Sequence, residues 1–133
     1  MSRLCFLTLV AVTLAGCGRS AAYVPVTGSV KYSDGTVPTG DVATVTFQPA
    51  VSGPNSKGAS GTINKDGTFT LQSVQPNDGA RPGDYHVTVH VMQGYPNGRS
   101  LVAQAFTKPD TTPLKATVEE SGENRFDFIV ERP

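Results

Sequence analysis

Tryptophan is absent from the 133-residue sequence, cysteine occurs only twice, and charged residues make up just 17% of it. Each shortage weighs against a class of protein. Carbohydrate platforms lean on exposed aromatic rings, and the largest of those rings is missing. So low a charge content argues against a highly solvated helical bundle. Lys plus Arg and Asp plus Glu both number 11, so the formal net charge is zero. Without a global field, nothing draws the chain to nucleic acid or to an acidic surface. Phosphate-cradling loops and basic runs are also absent. No apolar run approaches the roughly 20 residues that span a bilayer. In their place stand 14 Gly and 10 Pro, a turn-rich composition that is short of the level signalling disorder. The length fits one domain.

The first seventeen residues read as an address. Arg3 supplies a positive charge and residues 4–14 form a short apolar run, the pattern of a secretory signal peptide. The run ends in Leu14-Ala15-Gly16-Cys17, which resembles a bacterial lipobox. In such a motif small residues admit the strand to the signal peptidase, and the Cys17 thiol takes up a diacylglyceryl group. Cleavage after residues 1–16 removes Arg3 and Cys5 and leaves 117 of the 133 residues, with ten cations against eleven anions. Cys17 is then the lipidated first residue, no disulfide is possible, and the core alone must hold the domain. The expected division is 1–16 signal peptide, 17–23 lipidated cysteine and tether, and 24–133 folded domain. Several acyl chains on one residue make anchoring stable. Gly18 rather than Asp follows the cysteine, so no inner-membrane retention signal is present. The expectation is an exported protein anchored through Cys17 in the cell membrane or the outer membrane.

Beyond the tether the apolar period is two. Val24, Val26, Val30 and Tyr32 alternate with polar residues, with Gly28 on the apolar side. Val45 and Phe47, Gly61 and Ile63, and Phe69 and Leu71 continue the pattern. Tyr85, Val87, Val89 and Val91 form a longer strand, followed by Leu114, Ala116 and Val118, then Phe126, Phe128 and Val130. Ile129 breaks the polar face of the last strand. One buried and one wet face is the signature of antiparallel sheets packed as a sandwich. Asp34-Gly35, Asp66-Gly67, Asp78-Gly79 and Asn97-Gly98 read as turns whose Gly takes positive φ. No stretch has the period of an amphipathic helix. Seven strands are predicted.

Val26-Thr-Gly-Ser-Val-Lys-Tyr32, Asp34-Gly35 and Val45-Thr-Phe-Gln-Pro49 resemble the opening of a carboxypeptidase regulatory-like domain. The segments 61–71 and 79–89 resemble that family's "G…DG-x-F-x-L" hairpin and "G-x-Y-x-V-x-V" strand. Residues 106–118 and 124–128 are similar to the end of short lipoproteins that carry the domain. The resemblance covers roughly residues 24–131. It implies a transthyretin-like, seven-stranded Greek-key sandwich, related in architecture to immunoglobulin domains. It implies no catalytic residue and no cofactor, because the domain sits beside the enzyme in carboxypeptidases and its stand-alone members carry no activity to transfer.

The residues offer little for catalysis. His86 and His90 share one side of one strand, about 13 Å apart at roughly 3.3 Å per residue. One metal ion with bonds of about 2 Å does not bridge them. Two Tyr with a close His-x-His pair, as in intradiol dioxygenases, are not found. The Tyr-Arg-Gly-Ser ending of transthyretin-related hydrolases is replaced by Phe-Ile-Val-Glu-Arg-Pro. No G-x-S-x-G elbow supports Ser-His-Asp chemistry. Asp34, Asp66, Asp78 and Asp84 are too scattered for calcium and suit turn hydrogen bonding. Glu119, Glu120 and Glu123 read as a solvated hairpin end.

Two segments exceed what strand connection requires: the loop 49–60 and the crossing 92–113. Long loops on rigid sandwiches are common binding sites, and Tyr and Arg are enriched at interface hot spots. Tyr95, Arg99 and Phe106 form the candidate interaction surface, unless Phe106 tucks over a sheet edge. The expected function is a non-catalytic protein-binding or structural module of the cell envelope whose partner, an envelope protein or a glycan, the sequence does not name. The alternative is an accessory domain for carbohydrate or another small ligand.

Overall fold

The computed structural model describes residues 22–54 and 56–133. Arg3, the apolar run and Leu14, Ala15, Gly16 and Cys17 lie outside the described residues.

Alternating side chains give the longer strands one apolar face, and two sheets bury those faces against each other. The strands are β1 (Thr27–Tyr32), β2 (Val42–Pro49), β3 (Ala59–Thr62), β4 (Thr68–Thr70), β5 (Gly83–Gln93), β6 (Arg99–Ser100), β7 (Lys115–Val118) and β8 (Arg125–Val130). The eighth strand beyond the predicted seven is β6, whose two residues are too few to show a period. One sheet runs β4-β1-β8. The other runs β3-β2-β5, with β6 and β7 beside opposite ends of β5.

The pairing is not wholly antiparallel, which corrects the sequence expectation. β1 and β8 run parallel, from Thr27↔Arg125 to Tyr32↔Val130. Period-two patterning fixes which face is buried but says nothing of a partner's direction. The long connection that a parallel pair needs is supplied by the whole domain between the two strands.

The core follows the predicted phases. Val26, Val30, Val45, Phe47, Phe69 and Leu71 are buried, as are Val87, Val89, Val91, Val118, Phe128 and Val130. Phe47 of β2 is the hub. Its ring lies 5.7 Å from Tyr85, 5.7 Å from Phe126, 5.9 Å from Phe128 and 6.3 Å from Phe69. Tilted and edge-on geometries dominate these pairs, as ring quadrupoles favour, and each adds about 0.5–1.5 kcal/mol beyond area burial. Ile129, on the polar phase, is exposed.

Both open sides of the sandwich are tied. On one, Ser60 and Gln72 exchange two backbone hydrogen bonds of 2.9 Å, joining β3 to the segment just after β4. On the other, the Ala103 N–H donates to the Glu131 carbonyl at 2.8 Å. Asn64 and Gly67 close the predicted hairpin through Asn64 N–H to Thr68 O and Gly67 N–H to Asn64 O. Gly35, Gly67 and Gly79 take positive φ as expected, but Gly98 does not, and Gly94 takes that role. Gly98 answers to crowding instead, because a Cβ there would collide with the Gln93 carbonyl.

Candidate functional site

The crossing between β5 and β7 separates its two aromatic residues. Tyr95 sits in the β5–β6 loop and is 65% exposed. Arg99 follows on β6, paired with Gln93, and is also exposed. Phe106 does not join them. It sits in the 3-10 turn Gln104–Thr107, is 6% exposed, and belongs to the hydrophobic core. The apolar flank of β5 needs a cover, and a Phe in the crossing removes more apolar area from water than it would gain facing solvent. Thr112 fixes the same crossing, its hydroxyl donating to the Val87 carbonyl at 2.6 Å.

Tyr95 and Arg99 mark one end of the sandwich. The turn after β1 lies at that end too, since the buried Tyr32 hydroxyl donates to the Leu101 carbonyl at 2.6 Å. Burial raises the Tyr32 pKa above its ordinary value, against the pull of the Arg132 guanidinium. That guanidinium lies 4.0 Å over the Tyr32 ring and 3.0 Å from the Asp34 carboxylate. Tyr32, Arg99, Ser100, Leu101 and Arg132 line a cleft of about 540 Å³. At the opposite end Val24 bridges Ala80, and the Arg81 guanidinium lies over the Tyr23 ring at 5.2 Å. Val24 and Tyr32 are separated by about 26 Å of extended chain. The loop 49–60 lines a second cleft there with Arg81, Asp84 and Tyr85.

The remaining sequence candidates fall into structural roles. His86 is half-buried opposite Gln48 and Lys115, whereas His90 is exposed opposite Thr44. Asp34 accepts from both the N–H and the hydroxyl of Thr36, at 2.9 and 2.6 Å. Asp66 holds Thr68 in the same way, at 3.0 and 2.6 Å. Asp78 accepts from the N–H groups of Ser73, Val74 and Gln75, and Asp84 from the Thr117 hydroxyl. Asn124 ties both backbone groups of Glu119 at the β7–β8 turn, leaving Glu120 and Glu123 in solvent. No group of three or more His, Cys, Asp or Glu among the described residues is placed to hold a metal ion.

One cleft was not visible in the sequence. Thr44, Ser60 and Thr62 meet Thr70, Gln72 and Asn77 around a hollow of about 480 Å³ beside β3. The available signal was the choice of hydroxyls and amides, rather than Lys or Glu, at the polar phases of β2, β3 and β4.

No family model, no curated protein and no solved structure matches the chain.

Proposed function

We propose that this chain is a lipid-anchored, non-catalytic binding module of the cell envelope, built on a transthyretin-like Greek-key sandwich and recognising an envelope protein. The reading rests on the lipobox-like Leu14-Ala15-Gly16-Cys17 in the sequence and on one structural observation. Tyr95 and Arg99 stand exposed at the end of the sandwich opposite Tyr23–Val24, where the segment following Cys17 joins the domain. An anchored domain of this shape offers its far end to a partner and keeps the other end toward the lipid. Tyr contributes a rigid amphipathic ring and Arg a planar fork of donors, the side chains most enriched at interface hot spots.

Two experiments test the reading. Membrane fractionation of the wild-type chain and of Cys17→Ser should place the first with membranes and release the second. Co-fractionation of both would remove the anchor. A photo-crosslinking residue at position 95 should then capture one dominant envelope protein in cells. The same residue at position 74, in the loop after β4, should not. Equal capture at both positions, or none at 95, would reject the far end as the binding surface.

A further inference from the structure

Among the described residues some hydroxyl side chains bond to the chain's own oxygens and others stand free, and four of the free ones gather in one place. Ser29, Thr36, Thr68, Ser73, Thr112 and Thr117 donate to the chain's own oxygens at 2.6–2.8 Å. The hydroxyls of Thr44, Ser60, Thr62 and Thr70 and the amides of Gln72 and Asn77 make no such bond among the described residues. These six side chains come from β2, β3, β4 and the loop after it, and they converge on one cleft. Its lining carries neither a charged nor an aromatic side chain.

The walls of the cleft are fixed in place. The paired backbone bonds between Ser60 and Gln72 lock its floor. The Asp78 carboxylate gathers three consecutive N–H groups at 2.6, 2.9 and 2.9 Å and so rigidifies the loop that presents Asn77. Asn77 is held at φ 59°, the left-handed region that a non-glycine residue seldom adopts and that clusters at functional positions. The strands set the spacing. Thr62 stands directly across from Thr44, and Ser60 across from Thr46. Adjacent strands lie about 4.8 Å apart and like-facing residues on one strand about 6.7 Å apart. The result is a preformed grid of groups that each donate and accept.

The chemistry of that grid selects its ligand. An anion finds no cation in the lining, and an apolar molecule finds no apolar wall. An added peptide strand needs a free edge, and the outer edge of β3 is already bonded to Gln72. A neutral polyol with neighbouring hydroxyls satisfies donors and acceptors on both sides, the amides of Gln72 and Asn77 each spanning two oxygens. We propose that the groove beside β3 binds a neutral oligosaccharide, on a surface separate from Tyr95 and Arg99 and independent of how the chain is anchored.

The test uses the full chain, purified in a detergent without a sugar headgroup. Hexasaccharides of β-1,4- and α-1,4-linked glucose and of β-1,4-linked N-acetylglucosamine are titrated by calorimetry. A sulfated hexasaccharide and an unstructured hexapeptide serve as the competing ligand classes. At least one neutral hexasaccharide should bind with a dissociation constant below about 1 mM, a scale that a few net hydrogen bonds reach. Thr44→Val combined with Thr62→Val keeps the strand shape and removes two hydroxyls, and it should weaken binding about tenfold. Gln72→Leu should act in the same direction, and Ser121→Ala, in the β7–β8 turn, should bind as wild type. The melting temperature of each variant separates a lost contact from a lost fold. Three results would each overturn the site: no neutral sugar bound in the low-millimolar range, preference for the sulfated sugar or the peptide, or unchanged affinity in the folded double variant.

Discussion

The tripeptide Asp-Gly-Thr occurs twice, at Asp34-Gly35-Thr36 after β1 and at Asp66-Gly67-Thr68 before β4. The local chemistry is the same in both. Each aspartate accepts from the N–H and the hydroxyl of the threonine two residues on, and the glycines sit at φ 85° and 87°. The surroundings differ. Gly35 is exposed, with nothing near the place a Cβ would occupy. Gly67 is buried, and a Cβ there would lie 2.9 Å from the Val30 carbonyl oxygen and 3.0 Å from a Val37 methyl. Identical sequence makes identical turns, and the tertiary neighbours decide what each turn must tolerate.

The largest expected effect lies just past the second turn. Phe69, stacked 6.2 Å from Phe128 and wholly inside the core, should cost about 3–5 kcal/mol when replaced by alanine. Urea unfolding measures this, and a loss below about 1 kcal/mol would detach that turn from the core. The paired glycine variants come next. Gly35→Val should lose about 1–2 kcal/mol from the left-handed backbone alone. Gly67→Val should lose about 1–3 kcal/mol more, because its side chain overpacks β1. Equal losses would break the contrast between the two turns.

Acid should weaken both turns together. The Thr36 hydroxyl, then the Thr36 N–H and Arg132, hold the Asp34 carboxyl below its ordinary pKa, and Thr68 does the same for Asp66. A depressed folded-state pKa adds stability that is present above about pH 4 and is lost as pH falls through the folded value. The melting temperature should therefore fall below about pH 4. Thr36→Val with Thr68→Val should flatten that fall, and an unchanged acid limb would place the sensitivity elsewhere. The smallest effect belongs to the one partner that only the first turn has. Arg132→Gln removes a half-exposed ion pair and the cation over the Tyr32 ring, and each adds little at an exposed site. Its melting shift should be the least of the series.

Much of the fold was legible because burial leaves a direct trace in composition. Val87, Val89 and Val91 could face only the core, and Phe47 and Phe69 followed the same rule. The direction of β8 against β1 left no trace, since a strand's alternation is unchanged when its partner is reversed. β6 was too short to carry a pattern. On the 92–113 crossing the sequence left two places open for Phe106, beside Tyr95 or tucked over a sheet edge, and the flank of β5 takes it into the core. The cleft beside β3 was hidden for a related reason. Each of its residues reads as an ordinary solvated position, and the Ser60–Gln72 bridge that gathers them joins two different sheets.

The parallel register of β1 and β8 also governs how the domain would bear a mechanical load. Thr27 opens β1 at one end of the sandwich, and Val130 closes β8 at the other. A pull between these points runs along both strands in opposite directions. The six-residue register is then sheared as a unit rather than unzipped one bond at a time. A load applied between these two points would be resisted through one strand pair, and the rate of forced opening would report on that pair.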